Sequence, residues 1–137
     1  MTVNGTSELD HAQCLALLGA CRYGRVVFTD QALPVVVPVS CLLDRDGVVI
    51  GGCDDRRLDR LRDGDVVVFQ ADRASEAGDV TESVTVTGYT HSIHDAHEID
   101  RIIGLAVDGY WCPKADEKIM SIGLTIVDGR RYLRAAG

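Results

Sequence analysis

Two arginines, Arg56 and Arg57, stand four residues past a Gly51-Gly52 pair, and this segment holds the clearest means of binding an anion. A guanidinium presents a planar fork of donors to a phosphate, and backbone amides at a helix start add to it. Gly51 and Gly52 either relieve crowding at a bulge or let the backbone come close to a ligand; both readings stand on the residues. Trp111, beside Cys112-Pro113, can pin a loop to the core or offer a ring to a ligand. His91, His94 and His97 form an H-x-x-H-x-x-H series, but it crosses a strand end, a turn and a helix start. Solvated or capping roles are expected there and no metal site is assigned. The residues present no protein nucleophile with an adjacent base, so catalytic residues stay unassigned.

Composition narrows the partners. Fourteen basic residues against 21 acidic ones give a net charge of −7, which argues against binding nucleic acid. The apolar runs are short, such as Val35 to Val39 with Pro38 inside it, and a membrane span needs roughly 20 residues. Met1 to Asp10 has no basic stretch followed by an apolar one, so the expected location is cytoplasmic. The five cysteines, Cys14, Cys21, Cys41, Cys53 and Cys112, are odd in number and lack C-x-x-C spacing. Reduced thiols fit better than a disulfide framework.

The elements that must position these residues read as one domain, 1–137, mainly β. Ser7-Glu8-Leu9-Asp10 predicts a helix start, with the helix running to about Cys21 and burying Cys14, Leu15, Leu18 and Cys21. Arg25 to Thr29 predicts a strand, Asp30-Gln31-Ala32 a turn, and Leu33 to Leu43 a second strand. That strand puts Val35, Val37, Val39, Cys41 and Leu43 on one face and Val36 and Leu42 on the other. Pro34 and Pro38 mark it as an edge or bulged strand. Asp44-Arg45-Asp46-Gly47 predicts a hairpin turn in which Gly47 is free to take positive φ. Asp54 or Asp55 can cap a short helix holding Arg56, Arg57, Leu58 and Leu61. Val66 to Gln70 predicts a strand, Arg73 to Glu82 a polar loop, and Ser83 to His91 a half-buried strand. Asp95 caps a helix to Ala106 with Ile99, Ile102, Ile103 and Ala106 as its stripe. Lys118 to Ile122 and Leu124 to Val127 read as strand, with a turn at Asp128-Gly129. Hairpin connections imply an antiparallel sheet; a barrel or a sandwich would both serve.

This order of elements resembles the flavin-binding split-barrel family related to pyridoxamine 5'-phosphate oxidase. Tyr23-Gly24-Arg25-Val26-Val27-Phe28 is similar to its first strand, and Leu33-Pro34-Val35-Val36-Val37-Pro38-Val39 to its second. Asp55 to Leu61 resembles its basic phosphate-binding turn, and Ser83 to Gly88 its later strand ending in glycine. Asp128-Gly129-Arg130-Arg131 resembles its closing turn. The resemblance implies a six-stranded antiparallel split β-barrel with two or three flanking helices. It also implies a homodimer with cofactor sites at the subunit interface, FMN or in one branch a deazaflavin as cofactor, and oxidation or reduction of a small molecule. It places the cofactor against Pro38, Val39, Ser40, Gly52, Cys53, Arg56, Arg57, Leu58 and Trp111. The carboxylates of Asp54 and Asp55 oppose a phosphate at that turn unless they point away. The alternatives are a non-catalytic dimer binding a flavin, haem or other ligand, and a dimer with no cofactor.

Overall fold

The computed structural model describes residues 5–52, 54–111 and 117–134. Its strands are β1 (Gly5–Glu8), β2 (Tyr23–Asp30), β3 (Leu33–Asp44), β4 (Gly47–Gly51), β5 (Val66–Ala74), β6 (Val80–Ser92), β7 (Met120–Gly123) and β8 (Ile126–Leu133). The helices are α1 (His11–Ala20) and α2 (Ala96–Leu105), with a 3₁₀ turn at Arg56–Arg60. All strand pairs are antiparallel, in the order β1-β8-β6-β5-β2-β3-β4-β7, and a further β6–β7 pairing closes six of the eight into a barrel. Closure removes the exposed edges that an open sheet would carry.

The closure depends on β6, the longest strand. One edge of it pairs with β5 along nearly its whole length. The other edge pairs with β8 through Thr87 and then with β7 from Thr90. Gly88 lies where the partner changes, and a side chain there would run into the backbone of Gly123. A glycine is what lets two strands share one edge at that point. The interior is filled by Val26, Val37, Ile50, Phe69, Val86 and Ile122, all fully buried and alternating with outward residues along their strands. Helix α1 closes one end with Cys14, Leu17 and Leu18. Helix α2 lies outside, where Ile102 and Ala106 cover Leu42 and Val49 together with Trp111 and Ile119.

Several sequence expectations give way. Ser7 pairs with Arg131 inside β1, and the cap of α1 is a reciprocal box between Asp10 and Gln13. Strand formation wins at Ser7 because β8 offers its edge there. The predicted polar loop at 73–82 shrinks, since β5 continues to Ala74 and β6 starts at Val80. The charges that suggested a loop are satisfied across strands, with Arg73 and Arg131 both donating to Glu82. Asp128-Gly129 is no turn but mid-strand in β8, opposite Thr85 and Val84. Gly129 is there because Cys14 Sγ and Leu9 occupy the space of a side chain. Gly47 ends its two-residue hairpin without positive φ. The strained turn is the other one, where Gln31 and Ala32 have φ of 50° and 66°. Leu42 is buried under α2 rather than presented to a partner. The proline expectation fits: residues 33–39 of β3 pair only with β2, and β4 joins from Ser40 onward.

Candidate cofactor site

The site is assembled where β3 passes from an open edge to a paired strand. Ser40, 8 % exposed, sits opposite Tyr23 on β2 and Gly51 on β4. A Cβ on Gly51 would lie 2.5 Å from Cζ2 of Trp111, and one on Gly52 would lie 2.6 Å from Oγ of Ser40 and 3.2 Å from Cδ1 of Trp111. Gly52 also has φ of +69°, which disfavours any side chain. Both glycines are therefore required by contacts within the chain. The Trp111 ring is 5 % exposed, and its Nε1 donates to Oε2 of Glu117 at 3.4 Å.

Two tyrosines extend this corner to the surface. Tyr110 donates its hydroxyl to the Cys41 carbonyl at 2.7 Å, and burial raises its pKa, so it remains a donor. Tyr23 meets it edge to face, with centroids 6.4 Å apart, and is 64 % exposed. Arg22 lies over the Tyr110 ring at 5.0 Å and pairs with Asp108 at 3.0 Å. Tyr23, two residues from Arg25 and Pro38 in the register, shares the outer face with them. The result is an exposed aromatic face beside an exposed proline, framed by fixed hydrogen bonds. Flat, partly apolar surfaces of this kind suit a ring system.

The basic turn follows. Asp55 caps it, accepting from the Arg57 amide at 3.0 Å. The same carboxylate holds the Arg57 guanidinium, with Nε at 3.0 and 3.1 Å and Nη2 at 2.6 Å from its oxygens. That contact depresses the Asp55 pKa to about 2. Arg60 pairs with Asp30 at 3.2 Å, tying the turn to the β2–β3 hairpin. Among the described residues Arg56 is the exposed cation of this turn with no hydrogen-bond or ion-pair partner. Leu58 anchors the turn in the barrel core. Lys118 Nζ donates to the carbonyls of Leu58 at 3.1 Å and Leu61 at 2.7 Å, fixing the turn's end to the segment before β7.

Comparison with known proteins agrees with this architecture. The model of the pyridoxamine 5'-phosphate oxidase family matches residues 10–131. The chain belongs to that family. An uncharacterized protein of Mycobacterium tuberculosis is 33 % identical over 135 residues, covering 92 % of this chain and 85 % of the relative. The FAD binding protein from Mycobacterium smegmatis superposes with a TM-score of 0.77 at 20 % identity, covering 94 % of this chain and 100 % of the other. A FAD-binding protein from Mesorhizobium loti gives 0.73 at 21 % identity, covering 92 % and 97 %. The shared fold is the split barrel expected of this pyridoxamine 5'-phosphate oxidase family, six strands closed and two helices outside.

Within this family member the expected site residues divide. Pro38 is exposed on the outer face beside Tyr23 and Arg25, while Ser40 and Gly52 meet at the corner. Arg56 is open, whereas Arg57 is engaged by Asp55. Val39 and Leu58 point into the core, so each can offer a ligand only its backbone. Trp111 packs on Gly51 in its own chain. Cys53 and Cys112 lie outside the described residues. Tyr23, Tyr110 and Lys118 were not singled out by sequence reasoning. A Tyr-Trp dipeptide at 110–111 was the one local signal; the Lys118 contact joins residues about 60 positions apart and leaves none. His91 is exposed and 3.7 Å from Asp63, and His94 and His97 are exposed on the following turn and helix start. Burial raises the thiol pKa of Cys14 and Cys21 and pushes that of Cys41 to about 12, which suits core residues rather than nucleophiles. Among the described residues no helix is long and apolar enough to cross a membrane.

Proposed function

We propose that this protein is a homodimeric oxidoreductase that binds a flavin, FMN or a deazaflavin, at the β3–β4 corner and acts on a small molecule. The observation that carries the reading is the uncommitted Arg56, four residues past a glycine corner that opens onto exposed Tyr23 and Pro38. The residues fit such a group: an aromatic and proline surface for a ring system, and one open cation for an anionic tail. Tyr110 and Trp111 would hold the corner rigid, and Lys118 would hold the basic turn in place. A bound flavin supplies the electron transfer, while the protein binds it, orients it and limits water. The two structural relatives are described by FAD binding and not by a reaction, which supports a non-catalytic flavin carrier as the second reading.

The outer face of the barrel supports the dimer. Val36, Val27, Val68, Thr87 and Ile126 stand directly opposite one another in register across β3, β2, β5, β6 and β8. Val66 and Tyr89, paired and each 58 % exposed, lie one step along on the same face. An uncharged patch on a chain of net charge −7 suits a second copy, because self-association there brings no like charges together. The proposed partner face adjoins Pro38 and Tyr23, so the second copy would border the flavin.

Three measurements test this reading. Purified protein should carry, or take up on titration, a visible flavin absorption band; no uptake of FMN, FAD, riboflavin or a deazaflavin rejects it. Oxidation of reduced nicotinamide or reduced deazaflavin separates enzyme from carrier. Light scattering should give about twice the chain mass, and Ile126→Lys should shift it toward one; a monomeric wild type removes the dimer from the proposal.

A further inference from the structure

We propose that Asp55 sets the ligand specificity of the basic turn by acting as a built-in anion, which offsets the charge of Arg57 and withholds its amide and Nε–Nη2 edge from a phosphate group. The inference rests on the reading that a flavin-type ligand sits at this corner, and it refines which form of that ligand the chain prefers. The Asp55 carboxylate takes the Arg57 amide and the Nε–Nη2 edge of its guanidinium, with contacts from 2.6 to 3.1 Å. A phosphate bound at that edge and at the turn's amide would need those same donors. Bidentate carboxylate and bidentate phosphate are alternative partners for that edge, and a phosphate on the remaining Nη1–Nη2 edge would lie beside the carboxylate's negative charge. The depressed pKa of about 2 keeps Asp55 charged at every working pH, so proton uptake does not release Arg57. Across Asp54-Asp55-Arg56-Arg57 two negative and two positive charges sum to zero. A dianionic phosphate arriving there meets no net positive field, and its one uncommitted partner is Arg56.

The consequence is a site that reads the ring more than the tail. FMN should gain little over riboflavin, whose ring is the same and whose tail is uncharged. The discrimination is carried by Asp55, so removing one negative charge should create a phosphate site from residues already in place.

Asp55→Asn is the test. Asparagine still caps the turn by accepting from the Arg57 amide, so the fold is kept while the charge is lost. Titration of wild type and variant with FMN and riboflavin should show FMN binding strengthened at least tenfold in Asp55→Asn, with riboflavin unchanged. Adding Arg57→Gln to Asp55→Asn should abolish the gain. Unchanged FMN affinity in Asp55→Asn overturns the proposal, as does an equal change for both ligands. If neither ligand binds either protein, the flavin reading fails by itself. Inorganic phosphate, followed by the chemical shift of the Arg57 amide, then decides: tighter binding to Asp55→Asn upholds the role of Asp55, and equal binding overturns it.

Discussion

Gly51→Ala should destabilise this protein chiefly through a collision with Trp111, and a second substitution should remove most of the effect. Gly51 has no positive φ, so alanine meets no backbone strain there. Its Cβ would stand 2.5 Å from Cζ2 of Trp111, against 3.4 Å for ordinary contact. The indole must therefore move by about 1 Å, and it is 5 % exposed and held among Leu42, Val49, Ile102 and Ile119. Overpacking of this kind costs about 1–3 kcal/mol. For a chain of this size each kcal/mol lowers Tm by about 4 °C, so the expected fall is roughly 4–12 °C. Trp111 is the one tryptophan in the sequence, and its emission should shift in Gly51→Ala before unfolding begins. In a Trp111→Leu background the same alanine meets no indole, and its cost should drop by at least about 1 kcal/mol. Urea or thermal unfolding of the four proteins gives the coupling directly. An equal cost in both backgrounds, within about 0.5 kcal/mol, would refute the claim that Trp111 is why residue 51 is glycine.

Other outcomes follow from the same geometry. Ala32→Gly should raise stability by about 1 kcal/mol, because it removes a Cβ from a residue held at φ of 66°; thermal unfolding reads it, and a lower Tm would show that the turn is not strained. Arg56→Gln should erase whatever preference the protein has for FMN over riboflavin, a loss of about tenfold at most for an exposed contact, and high salt should mimic it in the wild type; a preference that survives places the phosphate elsewhere. Glu82 has its pKa lowered by hydrogen bonds from Arg73 and then Arg131. A carboxylate depressed in the folded state stabilises above its unfolded pKa of about 4.3 and loses that contribution as pH falls through the folded value. Glu82→Gln should thus flatten the dependence of Tm on pH below about 4.5 and have a roughly constant effect above it; an unaltered acid limb would contradict the assignment.

How much of this was legible in the sequence depended on whether the cause was local. Alternation placed Val84 and Val86 inside and Thr85 and Thr87 toward the outside, as found. Asp95 and Asp55 cap the helices assigned to them. The two prolines of β3 marked the segment that has a partner on one side only. The failures have nonlocal causes. Ser7 reads as a cap until β8 is known to run beside it. Gly129 reads as a turn residue until Cys14 and Leu9 are found in the place of its side chain. Arg73 and Glu82 read as loop until their opposition across β5 and β6 is seen.

The candidate site was legible in its residues but not in their commitments. Arg56 and Arg57 are equivalent as letters. What separates them is that Asp55, two positions before Arg57, can cap the turn and grip the guanidinium at once, while Arg56 projects to solvent. The same holds along β3. Period two puts Pro38, Ser40 and Leu42 on one outward face. That face is successively open, covered by the Trp111 corner, and buried under α2. A ligand can lie only where cover is incomplete, which is at Pro38 and its neighbour Tyr23. The cover comes from residues 102–111, some 60 positions later in the chain. The location of the proposed site is therefore a property of how α2 and the aromatic pair Tyr110 and Trp111 end their coverage of the barrel, and moving that boundary by substitution at Tyr110 should move ligand affinity with it.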